Sequence, residues 1–323
     1  IIHLEDYTPY EMYEIAINIA KSKGYTIAQD VEDDLIDLFA KNQISGKNDL
    51  GNARFVRNII ENAIMDASKK YLQDKQKKID LLERDNFNFK AKAKFNLEER
   101  LNQIIGLEEV KDLLRSQYKL IVAQEKRKSV GVETKIEQNL NMVFAGNPGT
   151  GKTSIARLVA EMLNSMGLLK IGQLIETDRS NFVSETQGET PKKTEETFKK
   201  AMGGILFIDE AYTLAYDSLG REAIDTLLKL IEDYSKDVIV ILAGYEKEME
   251  DFFDVNIGLR SRFPLWTNFE DYKPDELLEM AIKLIEDKGF KLSKNGYTSL
   301  KKSFVDIYEN ADIQSGNGRM VRN

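Results

Sequence analysis

The eight residues GNPGTGKT, at positions 146–153, decide the fold of this chain. They fit the pattern G-x-x-x-x-G-K-[ST], with an apolar run before them and apolar residues at helical spacing after them. Glycines in such a loop let backbone N–H groups turn inward around phosphate oxygens, and the start of the next helix adds its positive end. The stretch therefore predicts a strand, a phosphate-binding loop and a helix, in that order.

The same loop predicts which residues contact a nucleotide. Lys152 would place a cation on the β- and γ-phosphates of ATP, and the Thr153 hydroxyl would join the ligand shell of Mg²⁺. The residues expected to hold the nucleotide in this loop are Asn147, Pro148, Gly149, Thr150, Gly151, Lys152, Thr153 and Ser154. A glycine turn with a purely structural role is the alternative, which the flanking strand and helix patterns disfavour.

A second motif, ILFIDE at positions 205–210, supplies two acids. Its four apolar residues predict a buried strand, and Asp209 follows at the carboxyl end, where it would hold Mg²⁺ or a water of its shell. Glu210 would polarise the water that attacks the γ-phosphate. A strand ending in two solvated acids is the alternative, but ligand sites in parallel sheets lie at this edge.

The residues around these motifs predict an α/β domain. Short apolar runs at 141–146, 174–178, 204–209 and 238–244 alternate with amphipathic helical patterns such as 155–163 and 223–231. Continuous apolar strands that alternate with helices indicate a parallel sheet covered on both faces. We expect this domain to span residues 95–266.

An internal repeat flanks this domain. Residues 4–58 align without a gap on residues 269–323, and 18 of the 55 positions are identical. The copies end in the related octets GNARFVRN (51–58) and GNGRMVRN (316–323). A proline at the start of each copy and a glycine after its first amphipathic pattern predict the two ends of a helix. Each copy is therefore expected to be all-α.

These features together resemble an AAA+ ATPase module with its helical lid, in the group that contains the red-type rubisco activase CbbX and stage V sporulation protein K. The sequence segments that carry the resemblance include NMVFAGNPGTGKT, AMGGILFIDEAYTL, VIVILAGY, GLRSRF and FEDYKPDELLE. It covers most of residues 97–323, and its lid portion covers residues 1–72 again. The resemblance implies a P-loop NTPase fold with ATP and Mg²⁺ as cofactors.

The resemblance also implies roles for single residues. Ile105 and Gly106 match the segment that seats adenine. Arg262, rather than Arg260, matches an arginine finger supplied to a neighbouring subunit, and it would offset transition-state charge there. Arg319, in the second octet, would reach from the lid to the γ-phosphate, with Arg54 as its counterpart in the first copy.

The resemblance divides the chain into four parts. Residues 1–72 are expected to be the lid of a preceding AAA+ module, whose nucleotide domain would lie before Ile1. Residues 73–94 are expected to be a helix-rich linker, residues 95–266 the nucleotide-binding domain, and residues 267–323 a truncated second lid.

Two positions depart from the family pattern. Thr186, in ETQGET at 185–190, stands where the pore loop usually has an aromatic residue. Because an aromatic ring grips a peptide through its apolar area, the threonine puts peptide threading in question. LAGY, at 242–245, stands where other AAA+ proteins place Asn or Thr, but the CbbX-like group shares this wording, so hydrolysis is expected to survive.

Composition limits the remaining possibilities. The chain has no Cys and one His, His3, which excludes thiol chemistry and disfavours a His-based metal site. The net charge of −8 disfavours a nucleic-acid partner, including one at the Phe- and Lys-rich segment 87–95. No apolar run reaches the roughly 20 residues that span a membrane, and a cytoplasmic location is expected.

The leading hypothesis is an ATPase that remodels an unknown protein client and works as a homo-oligomeric, six-membered ring. The first alternative is a scaffold whose assembly is gated by ATP without threading, which Thr186 favours. The second alternative is a DNA-directed loader, which the acidic balance disfavours.

Overall fold

The computed structural model describes residues 6–42, 52–73, 80–87, 89, 95–129, 139–186, 188–309 and 316–322. The chain divides into two compact units, unit 1 at Ile1–Lys94 and unit 2 at Phe95–Asn323. In the described ranges, no helix is both long enough and apolar enough to cross a bilayer.

Unit 1 is built from helices α1 (Pro9–Ser22), α2 (Glu32–Asn42) and α3 (Asn52–Gln73), with strand β1 (Thr26–Ile27) parallel to strand β2 (Leu81–Leu82). Its core consists of buried side chains from all three helices, among them Met12, Leu35, Phe39 and Ile60. The expected helical character of the first copy is thus confirmed.

Residues 80–87 differ from the expected helix-rich linker. They form β2 and a 3-10 turn at Arg84–Asn86, and Leu82 and Phe87 are buried in the core of unit 1. The Phe87 ring stacks on Phe89 at a centroid distance of 5.5 Å. The charged residues around these few apolar side chains obscured their pattern, which has no helical period.

Unit 2 contains a five-stranded parallel sheet. Its strands are β3 (Met142–Gly146), β4 (Leu174–Thr177), β5 (Ile205–Ile208), β6 (Ile239–Gly244) and β7 (Leu265–Phe269), in the spatial order β4-β5-β6-β3-β7. The first four confirm the predicted strands. The fifth was missed, because β7 pairs only with β3 at the sheet edge and its sequence, LWTNF, is half polar.

Ten α-helices of unit 2 lie in the described part of the chain: α4 (Leu97–Asn102), α5 (Glu108–Ser129), α6 (Lys152–Ser165), α7 (Thr190–Lys200), α8 (Ser218–Asp233), α9 (Glu246–Val255), α10 (Ile257–Arg260), α11 (Pro274–Asp287), α12 (Lys294–Glu309) and α13 (Asn317–Met320). The central strands are buried, with Phe144, Phe207 and Ile241 fully inside. Because all five strands are parallel, the carboxyl ends of β3, β5 and β6 meet at one edge of the sheet.

The two copies of the repeat share local geometry. At the start of α1, the Thr8 backbone N–H donates to the Glu11 carboxylate at 2.7 Å. At the start of α11, the Lys273 backbone N–H donates to the Glu276 carboxylate, also at 2.7 Å. Each helix is followed by a glycine at positive φ, 81° in the first copy and 79° in the second. The sequence repeat is therefore also a structural repeat.

Candidate active site

A cleft of about 620 Å³ opens at the carboxyl edge of the sheet in unit 2. The loop between β3 and α6 forms its floor with Pro148, Gly149, Gly151, Lys152, Thr153 and Ser154. Gly149 and Gly151 have φ values of 77° and 96°, which L-residues with a side chain rarely adopt. The local sequence thus folds into the turn that a phosphate cradle requires, at the N-terminus of α6.

Two residues of the predicted loop set do not line this cleft. Thr150 is fully buried, and its hydroxyl donates to the Asn147 carbonyl at 2.8 Å. The Asn147 side chain donates to both carboxylate oxygens of Asp271, at 3.0 and 2.9 Å. Both residues stabilise the loop through these hydrogen bonds without lining the cleft.

The Lys152 ammonium lies inside the loop. It donates to the carbonyls of Gly146 and Asn147 at 2.6 and 2.8 Å. Its pKa is lowered to about 8, mainly by burial and also by the charge of Arg319, while the carboxylates of Asp209, Asp271 and Glu210 act in the opposite direction. The carbonyl contacts hold the cation where it can exchange them for phosphate oxygens.

Asp209 and Glu210 follow β5 and both line the cleft. The Glu210 backbone N–H donates to the Asp209 carboxylate at 3.1 Å, which turns the chain at this point. Glu210 has a φ of 47° and an exposed side chain. Its carbonyl accepts a hydrogen bond from the Thr213 hydroxyl at 2.7 Å. The strained backbone is therefore held in place by a specific contact.

Strain of this kind is concentrated at the cleft. In the described ranges, the non-glycine residues at positive φ are Leu107, Glu210 and Asn317. Leu107 and Glu210 line the cleft, and the Asn317 side chain donates to the Pro148 carbonyl at 3.3 Å. Strained backbone is typical of functional sites, where the surrounding structure must maintain it.

One wall of the cleft is apolar and suits a flat base. Ile105 lines it, as the resemblance implied, together with Ile104 and Leu107. Gly106 does not line it; a Cβ there would lie 2.5 Å from a carboxylate oxygen of Glu276 on α11, so glycine permits this close approach. The opposite wall comes from α11, and the Lys283 ammonium joins the two walls by donating to the Gln103 carbonyl at 2.9 Å.

Sequence reasoning missed several residues of the lid side. Those that line the cleft include Tyr272, Met280, Lys283, Leu284 and Asp287. Met280 and Leu284 lie on the apolar stripe of α11, where the helical period pointed only to a core. Tyr272 donates its hydroxyl to the Thr150 carbonyl at 3.0 Å, and burial raises its pKa to about 12, so it remains a donor at neutral pH.

Arg319 lines the cleft from the lid. Its segment approaches the phosphate loop closely: the Gly318 N–H donates to the Gly149 carbonyl at 3.1 Å, and a Cβ on Gly149 would lie 2.3 Å from the Gly316 carbonyl. Arg54, the counterpart in unit 1, is exposed on α3. Of the two arginines, only Arg319 shares a cleft with Lys152.

Arg260 and Arg262 lie outside the cleft. Arg262 pairs with Glu232 and donates to the Gly258 carbonyl at 3.0 Å, while its own carbonyl accepts from the side chains of Asn139 and Asn141. Arg260 pairs with the exposed Asp254. Neither arginine reaches the phosphate loop of its own chain.

Comparison with known proteins agrees with this geometry. The description "ATPase family associated with various cellular activities (AAA)" matches residues 142–269, and "AAA lid domain" matches residues 8–100 and 273–323, which contain most of each copy of the repeat. Stage V sporulation protein K of Bacillus subtilis is 42% identical over 231 residues, which cover 70% of this chain and 71% of that protein.

Two further relatives are similar over a comparable share of the chain. Protein CbbX of Cereibacter sphaeroides is 38% identical over 235 residues, covering 72% of this chain and 75% of CbbX. The ESX-1 secretion system protein EccA1 of Mycolicibacterium smegmatis is 37% identical over 235 residues, covering 69% of this chain and 41% of EccA1.

Proposed function

This chain belongs to the AAA ATPase family, in the group that contains stage V sporulation protein K and CbbX, and we propose that it is the ATP-hydrolysing part of a ring-shaped protein remodeller. The observation that carries the proposal is one cleft lined by Lys152, Asp209, Glu210 and Arg319. These groups come from the phosphate loop, the end of β5 and the lid.

In the proposed mechanism the protein first exchanges contacts around Lys152. Backbone N–H groups of the loop and of the N-terminus of α6 donate hydrogen bonds to the phosphate oxygens of ATP. The Lys152 ammonium leaves the carbonyls of Gly146 and Asn147 and pairs with the β- and γ-phosphate oxygens. The base lies between Ile105 and the apolar side of α11.

The cleft suits Mg²⁺ bound together with ATP. Mg²⁺ usually keeps several waters and takes one or two protein oxygens beside the phosphates, and Thr153 and Asp209 both offer such an oxygen in the cleft. When bound, the ion would neutralise negative charge on the phosphates. In the described ranges no group of three or more acidic or His side chains is arranged to hold a metal by itself, so nucleotide and ion would bind together.

Glu210 is proposed to orient and polarise the attacking water. Its exposed carboxylate projects from the strained turn after Asp209, and Arg319 faces the same space from the lid. Loss of the γ-phosphate would remove the anion that Arg319 meets. The lid would then change its angle, which converts hydrolysis into movement.

The proposed ring completes each site with an arginine from the next subunit. Arg262 is the proposed finger, because it lies outside its own cleft on a segment anchored to the start of β3 by Asn139 and Asn141. A ring of six copies is the proposed assembly. An arginine supplied in this way adds about 10³-fold or more to the rate in other phosphoryl-transfer enzymes.

The domain division remains part of the proposal. Residues 1–72 would be the lid of another AAA+ module, residues 95–266 the nucleotide-binding domain and residues 267–323 its own lid. The match of the lid family to both copies supports this. In unit 1 the Asn52 side chain donates to Asp6 at 2.6 Å, as Asn317 does to Asp271 in unit 2 at 2.8 Å.

A scaffold gated by ATP is the second candidate function. Thr186 is exposed in the loop before α7, where the resemblance expects an aromatic residue. A scaffold would bind ATP and assemble without continuous turnover. The named roles of the relatives differ, from rubisco activation to a secretion system, so the client of this chain is not carried over from them.

Turnover as a function of chain concentration tests the proposal. We expect the rate of ATP hydrolysis per chain to rise about tenfold or more as the chain concentration increases, because each site needs an arginine from a neighbour. Phosphate release is the measurement, with mass photometry on the same samples to report assembly. Assembly with ATP but without turnover would favour the scaffold instead.

The affinity for ATP should depend on pH through Lys152. Its pKa is about 8 in the free protein, and bound phosphates would raise it, so binding takes up a proton above pH 8. The affinity for ATP is therefore highest below this pKa and falls as the pH rises. We expect about tenfold weaker binding of a non-hydrolysable ATP analogue at about pH 9 than at about pH 7.

Lys152→Arg is the matched control for this pH series. The guanidinium stays protonated over the whole pH range, so the affinity of this variant for the ATP analogue should not change with pH. Isothermal titration in buffers of different ionisation enthalpy measures the proton uptake directly. A flat profile for the parent chain, or an equal slope in both proteins, would rule out Lys152 as the titrating group.

A further inference from the structure

One carboxylate, Asp271, joins the phosphate loop to the lid. It accepts the Asn147 side-chain amide on both oxygens, at 3.0 and 2.9 Å, and the Asn317 amide on Oδ1 at 2.8 Å. Asn147 belongs to the loop that holds Lys152, and Asn317 opens α13, which carries Arg319. Asn147 and Asn317 are 124 and 46 residues away from Asp271 in the chain.

Further contacts fix Asn317 in this arrangement. Its side-chain oxygen accepts the Tyr272 backbone N–H at 3.0 Å, and it is almost fully buried, with 2% of its surface exposed. Its positive φ of 41° is a strained conformation that the surrounding contacts must maintain. The side chain is therefore a rigid connection and cannot easily adopt another partner.

We infer that Asp271 is a positioning residue which holds the lid against the phosphate loop and thereby places Arg319 at the γ-phosphate. The inference rests on the proposed function and extends it. Asn147 connects the two halves, because its side chain binds Asp271 while its carbonyl accepts from the Lys152 ammonium. When phosphate draws Lys152 away from that carbonyl, the change begins at the same residue whose side chain contacts Asp271.

The repeat provides an internal comparison. Asp6 and Asn52 occupy the positions of Asp271 and Asn317 in the first copy, and they keep the hydrogen bond at 2.6 Å. Both are less buried than Asn317, and the structure records no loop like residues 146–153 among the described residues of unit 1. The hydrogen bond by itself is thus a feature of the lid, while the contact with a phosphate loop is specific to Asp271.

The test compares the affinities of the full chain for a non-hydrolysable ATP analogue and for ADP. In Asp271→Asn, one oxygen becomes an NH₂ group that faces the amide donors of its neighbours, so at least one charge-assisted hydrogen bond is lost. We expect about a tenfold loss of affinity for the ATP analogue and less than about a threefold loss for ADP, since only ATP offers Arg319 a γ-phosphate. Isothermal titration measures both.

Two further variants make the result specific. Asn317→Gly removes the lid side of the connection but allows the positive φ, so it should reproduce the selective loss of affinity for the ATP analogue. The double variant, Asp271→Asn with Asn317→Gly, should lose no more affinity than either single variant. Asp6→Asn is the matched control and should leave both affinities unchanged.

The possible outcomes separate the inference from the proposed function. Equal losses for the two nucleotides, or a selective loss in Asp6→Asn as well, would overturn the role of Asp271 and leave the ATPase proposal intact. If the parent chain bound neither nucleotide, the proposed function itself would fail. Should Asp271→Asn unfold, which thermal melting reports, the Asn317→Gly measurement decides the question in the same way.

Discussion

A Glu210→Gln variant should bind ATP as tightly as the parent chain and hydrolyse it at least about a hundredfold more slowly. The amide has the same shape as the carboxylate, so the backbone turn and the hydrogen bond from the Thr213 hydroxyl to the Glu210 carbonyl should persist. The amide cannot accept a proton from the attacking water. Binding and chemistry should therefore separate in this one substitution.

The measurement pairs single-turnover phosphate release with ATP binding in the same preparation. Glu248→Gln is the matched control, because Glu248 is also an exposed acid but lies on α9 outside the cleft. It should keep the parent rate. Retained hydrolysis in Glu210→Gln would assign the role of general base to another group, and lost ATP binding would show that Glu210 mainly supports the structure of the cleft.

The residues that the sequence predicted well are those whose function depends on local geometry. The turn at Gly149 and Gly151 and the acids after β5 depend on contacts within a few residues, which a short motif records, whereas the Asn147 side chain of the same loop binds the distant Asp271. The three central strands β3, β5 and β6 were predicted for a related reason, since continuous apolar runs mark strands buried on both faces.

The residues that were missed act through distant contacts. Asp271 lies in FEDYKPDELLE, a segment that carries the resemblance to the family, but its hydrogen bond with Asn147 spans 124 residues and leaves no local sequence pattern. Gly106 was expected to touch the base; its lack of a side chain serves the close packing of Glu276 instead. Phe87 was expected to lie in a helix-rich linker, whereas its ring is buried in the core of unit 1.

Arg262 is a different case, because a single chain cannot display a contact with its neighbour. If Arg262 completes the site of the next subunit, Arg262→Ala should lower turnover by about 10³-fold while ATP binding to the variant's own cleft stays intact. Arg260→Ala is the matched control: Arg260 lies two residues away, pairs with Asp254 and should keep the parent rate. Phosphate release at a concentration where the parent chain is assembled measures both.

Mixing two inactive variants distinguishes a finger in trans from a structural arginine. In a ring that contains Arg262→Ala and Glu210→Gln subunits, a site is complete wherever an intact Glu210 faces a neighbour with an intact Arg262. Random assembly at equal amounts makes about a quarter of the sites complete, since the contact between ring neighbours is head-to-tail. Activity should therefore return to about that fraction of the parent rate. If the mixture is no more active than its components, Arg262 does not act across the interface, and its pair with Glu232 would then have only a structural role within its own chain.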